Sequence, residues 1–202
     1  MKRWLQSIRQ KKRSRGEKNI AEYDSVCEDF PRHNSLNILN GMMSRPEFER
    51  AVDQIAADGE TKGCLMLADV DRLGEINDRY GQEAGDRVLE HVCHVLQDSL
   101  GEGDGMCRVK SGEFVLWLTG ATTEDAADIR RRIAEDNDNL LHPPVGIQPV
   151  SVSVGAAFLK EACQESEHQY KCLYRQAGKA ERMVKAGGRC GFAVYQDRDV
   201  CG

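Results

Sequence analysis

Two carboxylates, Asp69 and Asp71, flank Val70 immediately behind the apolar stretch Cys64-Leu65-Met66-Leu67-Ala68. A short continuous apolar run reads as a buried central strand, so these acids stand at a strand end, where a rigid backbone holds them at an edge open to ligands. Farther along, Glu113 lies in the turn Lys110-Ser111-Gly112-Glu113, between residues 106–108 and 114–118, which read as the two strands of a hairpin. Acids brought together from a strand end and a neighbouring hairpin can hold Mg²⁺ against the phosphates of a nucleotide. A D-x-D pair alone is a weak signal, because structural turns also use it.

The elements that must position these residues follow from periodicity and punctuation. Pro46 permits a helix start, with Ser44 as N-cap and Phe48, Val52 and Ile55 spaced on one face. A turn bracketed by Gly59 and Gly63 leads into the buried strand. Helical spacing runs from Gly85 through Val88, Leu89, Val92, Val95, Leu96 and Leu100, until Gly101, Gly103 and Gly105 break it. Residues 123–138 read as an amphipathic helix with Ala127, Ile129 and Ile133 inward, closed off by Pro143-Pro144. Residues 150–154 alternate at period two, the pattern of a half-buried strand. A helix over 166–186 and a strand over 192–195 complete the order. This βαββαβ order predicts an α+β, ferredoxin-like sandwich, with a sheet of mixed direction and helices packed on one side.

Composition narrows the class. With 202 residues, 40% hydrophobic and 30% charged, the chain can bury a genuine core, and neither global disorder nor a fibrous repeat fits. The net charge of −5 hides a split: residues 1–19 carry eight Lys/Arg against Glu17, a net +7, which leaves −12 for residues 20–202. An acidic body argues against nucleic acid as a partner. The basic segment could touch RNA or an anionic membrane surface through Trp4, Leu5 and Ile8, or serve as a solvated helical lead-in. The apolar runs are too short to cross a bilayer, and Lys2 and Arg3 are not followed by an apolar leader, so the expected location is cytoplasmic. The eight cysteines include no C-x-x-C pair, and the groupings His91-Cys93-His94 and Cys163-His168-Cys172 lack the paired short spacings of a zinc site. Reduced, buried or half-buried thiols are the expectation.

At this point the sequence resembles the GGDEF family of diguanylate cyclase domains. The string from Asp69 to Asp78, followed by Gly81 and Gly85-Asp86, is similar to that family's D-x-D-x-F-K-x-I-N-D-x-x-G-H-x-x-G-D. Upstream, residues 37–48 line up without a gap with D-x-L-T-G-L-x-N-R-R-x-F. Downstream, Val150 to Gly155 resembles V-T-V-S-I-G, and Lys185-Ala186-Gly187-Gly188-Arg189 resembles K-x-x-G-R. The resemblance covers Asn37 to about Tyr195, so residues 1–35 read as a basic extension and 36–202 as the domain. In the family, two GTP-loaded domains condense their substrates into cyclic di-GMP. By resemblance, Asp69 and the Val70 carbonyl match metal ligands, Asn77 and Asp86 the guanine-edge contacts, and Lys185 and Arg189 the phosphate contacts. An amide and a carboxylate suit guanine's donor–acceptor edge, and cations suit phosphate. Without that frame, Asn77 and Asp86 would read as helix caps, and Lys185 and Arg189 as cations favouring a helix C-terminus.

The signature turn departs from the family. Where R-x-G-G-D/E-E-F is expected, the chain reads Arg108-Val109-Lys110-Ser111-Gly112-Glu113-Phe114. Both glycines are replaced, and Gly112 stands where the family has a metal-binding acid, which makes the turn two charges more positive. Lys110 could contact a phosphate directly, but it cannot activate a hydroxyl as a metal ion does. Gly74 replaces the usual Lys and Gln82 the usual His. The inhibitory R-x-x-D motif falls on Gly101-Glu102-Gly103-Asp104, without its Arg. The expectation is a degenerate domain with weak or no Mg²⁺ binding and no cyclase activity, acting as a GTP-binding or partner-binding regulatory module or homodimer in cyclic-di-GMP-type bacterial signalling. Two alternatives stand beside it. One is an active diguanylate cyclase in which Asp69 and Glu113 serve a relaxed metal site, with Glu113 catalytic; the other is a purely structural interaction domain.

Overall fold

The computed structural model describes residues 42–57, 62–101, 103–122, 135, 137, 150–159 and 168–196. The basic extension, residues 37–41 of the first motif, and residues 123–134, 136 and 138–149 lie outside this set; within the expected 123–138 helix, Glu135 and Asn137 are helical.

Helix α1 (Arg45–Ala57) opens where Pro46 allows it. Its start is fixed by Ser44, whose backbone N–H and hydroxyl both donate to the Glu47 carboxylate, the Glu half of a capping box. Strand β1 (Gly63–Val70) follows as the apolar run predicts. The chain then forms two helices, α2 (Leu73–Tyr80) and α3 (Gln82–Asp98), rather than one starting near Gly85. Gly81, at φ +86°, breaks them apart. Strands β2 (Gly105–Lys110) and β3 (Glu113–Thr119) form the hairpin, and β4 (Val152–Phe158), α4 (Gln169–Ala186) and β5 (Gly191–Val194) complete the described elements.

The five strands form one sheet in the order β2-β3-β1-β4-β5, antiparallel except for the parallel β4–β5 pair. This is the expected α+β architecture, but the helices cover both faces of the sheet. On one face Met66, Ala68 and Val70 pack with Ile76, Val88 and Val92 of α2 and α3. On the other, Leu65, Leu67 and Trp117 pack with Phe48 and Val52 of α1 and with Leu173 and Ala177 of α4. A continuous apolar strand has two apolar faces, and each needs a cover.

The same reason corrects the half-buried reading of residues 150–154. Every residue of β4 is buried, including Ser153 at 0% exposure, and the strand begins at Val152. The serines alternate with apolar residues because a buried carboxylate needs their hydroxyls. Farther along β4, α4 approaches so closely that a Cβ on Gly155 would lie 2.1 Å from the Ala177 carbonyl oxygen and 2.2 Å from the Glu181 nitrogen. Backbone against backbone, this contact brings the C-terminal half of α4 over the end of β1.

Candidate active site

Register places Asp69 directly opposite Glu113 on β3 and opposite Ser153 on β4. Asp69 and Glu113 therefore share one face of the sheet, the face covered by α4. Helical spacing brings Tyr174, Glu181 and Lys185 of α4 toward the same place. Lys185 Nζ lies 2.9 Å from Asp69 Oδ1 and 2.7 Å from Glu181 Oε1. Glu113, buried at 4% exposure, meets Lys110 Nζ at 2.9 Å through Oε2 and accepts the Tyr174 hydroxyl at Oε1. The carboxylates of this cluster thus face ammonium and hydroxyl groups of the chain itself.

Electrostatics follow the packing. Burial pushes the Asp69 carboxyl up, and the bond and charge of Lys185 only partly offset this. Burial alone would lower Lys185, but its bonds to Glu181 and Asp69 outweigh it and hold the ammonium up. Burial, then the bond to Glu113, pushes the Tyr174 phenol up, so it stays a donor at neutral pH.

The hairpin turn is built on Ser111 and Gly112, with a register shift between Arg108 and Lys110. Gly112 sits at φ +81°, and its carbonyl accepts the Val70 N–H at 2.8 Å. A Cβ there would stand 3.1 Å from Leu73 Cδ2. Gly112→Asp alone is therefore expected to destabilise the domain by about 1 kcal/mol, read from the urea midpoint, since a side chain enters a left-handed position; an unchanged midpoint would contradict this.

The fit of this donor set to Mg²⁺ is poor. Mg²⁺ calls for oxygen ligands in near-ideal octahedral geometry. Gly112 offers no side chain, Asp69 Oδ1 is ion-paired to Lys185, and both Glu113 oxygens have partners in the chain. Among the described residues no group of three or more His, Cys, Asp or Glu side chains is arranged to hold a metal. No step is derived through Mg²⁺.

The two residues matched to guanine contacts lie on α2 and α3, which cover the opposite face of the sheet. Asn77 is half-buried, and its Oδ1 has no hydrogen-bond partner. That oxygen lies 1.7 Å from where a Cβ on Gly85 would stand, so Gly85 leaves the room the amide occupies. Asp86 is exposed in the first turns of α3, and its charge supports the guanidinium of half-buried Arg108, which burial otherwise lowers. Arg189 is exposed, with Nε 3.9 Å from Asp71. The structure thus brings Asp69, Glu113, Lys110 and Lys185 into one charged cluster, with Arg189 beside Asp71 and Asn77 and Asp86 separate on α2 and α3. In the loop matched to the inhibitory motif, both Asp104 oxygens are engaged, one by Gly101 N–H and the other by Thr119 N–H, each at 2.8 Å.

Sequence reasoning left two participants unnamed, Tyr174 and Glu181, which could have been found from the helical spacing that aligns them with Lys185. Asp71, read from the sequence as an acid at an edge open to ligands, is instead buried and bonded to Ser151, Ser153 and the Cys190 N–H. These partners are remote in the chain, and no local signal reports them.

The fold is an α+β domain with a mixed five-stranded sheet and a charged cluster at the end of its central strand. The family described as "Diguanylate cyclase, GGDEF domain" matches residues 37–190. The chain belongs to the GGDEF family.

Among curated relatives, it is 30% identical over 187 residues to a probable diguanylate cyclase, DgcT of Escherichia coli K12, covering 91% of this chain and 38% of that protein. It is 25% identical over 183 residues to the cyclic di-GMP phosphodiesterase PdeB of Shewanella oneidensis, covering 90% and 21%. The diguanylate cyclase DgcS of the same species is 27% identical over 157 residues, covering 76% and 50%. The chain spans about a fifth to a half of the length of these relatives. Among solved structures, the GGDEF domain of YfiN (TpbB) from Pseudomonas aeruginosa superposes with a TM-score of 0.68 at 24% identity, covering 83% of this chain and 96% of that one. The GGDEF domain of DgcB from Caulobacter crescentus, solved with c-di-GMP, gives 0.65 at 22%, covering 82% and 98%. Among the described residues no helix is long and apolar enough to cross a membrane.

Proposed function

We propose that this domain is a regulatory GGDEF module that binds guanine nucleotide but does not cyclise it, and that it serves cyclic-di-GMP signalling. The observation that carries this reading is the pairing of Asp69 with Lys185 and of Glu113 with Lys110, at 2.9 Å each, around a Gly112 that supplies no third ligand. Phosphoryl transfer depends on positioning and charge stabilisation, and a lysine in place of a metal leaves the attacking hydroxyl unactivated. The Asn77 oxygen is unsatisfied and packed against Gly85, a costly state that a guanine edge would relieve by supplying a donor as the amide turns outward to meet it. Lys185 and Arg189 would face the phosphates.

Similarity to PdeB, named a phosphodiesterase, is compatible with a GGDEF-type unit serving a partner activity. So is similarity to the diguanylate cyclase SiaD, solved with its activator SiaC and matched at a TM-score of 0.66 and 22% identity. A second reading, an active cyclase, has one observation in its favour: Asp69 and Glu113 stand directly opposite each other across β1 and β3.

Calorimetric titration with GTP tests binding. The domain is expected to bind GTP, and Asn77→Ala to bind it about tenfold more weakly, the loss of one buried hydrogen bond. No binding, or equal affinity in the variant, would contradict the reading.

A further inference from the structure

We propose that Asp71 is the positioning residue for Arg189, acting by fastening the turn after α4 to the sheet. Asp71 is 5% exposed, and its carboxylate accepts three hydrogen bonds. Ser153 Oγ donates to Oδ1 at 2.7 Å, Ser151 Oγ donates to Oδ2 at 2.7 Å, and the Cys190 backbone N–H donates to Oδ2 at 3.1 Å. The first two hold the carboxylate to the start of β4, and the third reaches out of the sheet to the turn. Arg189 Nε lies 3.9 Å from Oδ1, so the same carboxylate restrains the guanidinium side chain.

The turn needs such an anchor. Arg189 and Cys190 are consecutive non-glycine residues with positive φ, at 69° and 54°, a conformation that L residues adopt only when their surroundings over-determine it. Arg189 N–H bonds back to the Val184 carbonyl at 3.0 Å, which ties the turn to α4. Asp71 supplies the tie to the sheet. These two ties fix the backbone from which the exposed Arg189 side chain leaves.

Asp71 thus differs from Asp69 two residues earlier: Asp69 faces the lysine cluster, whereas Asp71 is consumed by positioning. The inference rests on the proposed reading that Arg189 faces nucleotide phosphates.

The test compares GTP with guanosine, which lacks the phosphates, in the wild type, Asp71→Ala, Asp71→Asn and Ser153→Ala. Asp71→Ala is expected to bind GTP at least tenfold more weakly and guanosine within twofold of wild type. Asp71→Asn, which can still accept the Cys190 N–H, should recover most of the difference. Ser153→Ala should move the same ratio by a smaller factor, which preserves the test if Asp71→Ala does not fold. An equal loss for both ligands, or for neither, overturns the positioning role while leaving nucleotide binding intact. A wild type that binds neither ligand overturns the nucleotide reading, and this inference with it.

Discussion

Gly155→Ala is expected to be the most damaging single methyl addition among the described residues, lowering stability by about 3 kcal/mol. At the other two tightest glycines, Gly63 and Gly85, a new methyl would meet side chains, the Trp117 ring at 2.1 Å and the Asn77 amide at 1.7 Å, rather than backbone. Here the new methyl would meet backbone on two sides, the Ala177 carbonyl oxygen at 2.1 Å and the Glu181 nitrogen at 2.2 Å. Relief requires α4 to lift from β4. That movement would open the packing of Leu173 and Ala177 against Leu65 and Leu67, and it would carry Glu181 and Lys185 away from Asp69. Against a typical total of roughly 5–15 kcal/mol, such a loss leaves a marginal domain. Urea unfolding measures it: the midpoint should fall sharply with the slope unchanged. A shift worth less than about 1 kcal/mol would contradict the described approach of α4 to the sheet.

The second large effect is a gain. Replacing Lys110, Ser111 and Gly112 together by Gly, Gly and Asp should create a Mg²⁺ site. Loss of Lys110 frees one oxygen of Glu113, and the aspartate introduced in place of Gly112 adds a carboxylate, so the turn becomes two charges more negative beside Asp69. Charge changes this close to a divalent ion are worth several kcal/mol even at an effective dielectric constant of about 20, so Mg²⁺ affinity should rise at least about tenfold. The paired glycines matter as well, since the positive-φ position can then pass to residue 110 or 111, and the new aspartate avoids the strain of the single substitution. Titration of Mg²⁺ followed by thermal melting checks this, with a magnesium-dependent rise in melting temperature expected only in the triple variant. Production of a cyclic nucleotide by that variant would identify the turn as the feature that disabled the chemistry. Absence of any magnesium effect would mean that the Lys185–Asp69 pair also blocks the metal.

Much of the fold was legible because local pattern and tertiary packing agree. The run 64–68 is apolar at every position and became the central strand. The stripe Val88, Val92, Leu96 became the buried face of α3, and the expected helix over 166–186 became α4. Pattern misled where a polar residue is buried for a specific partner. Ser151 and Ser153 look solvent-facing by alternation, yet their hydroxyls serve Asp71 from 80 and 82 residues away. No local rule reports such a pairing. The placement of helices on one side failed because periodicity gives the buried face of each helix, not the sheet face it seeks.

Motif residues alone single out Asp69 and Glu113 as candidates, and the register sets the two opposite each other. What motif reading could not supply is which side chains are already spoken for. Lys185 was matched to a phosphate contact, and here it lies between Asp69 and Glu181. Lys110 was recognised as a foreign cation in the turn, but its partner Glu113 emerged only from the hairpin's geometry. Charge pairing across elements depends on distances that sequence spacing does not encode.

The central claim is that GTP is held without being cyclised. The direct measurement is incubation of the purified chain with GTP and Mg²⁺ or Mn²⁺, followed by chromatographic separation of the nucleotides and, on the same preparation, a GTP titration. Saturable binding with GTP recovered unchanged is the predicted result. Formation of cyclic di-GMP, or of any other cyclised nucleotide, would contradict it and would mean that Asp69 and Glu113 release their lysines to a metal once the nucleotide arrives.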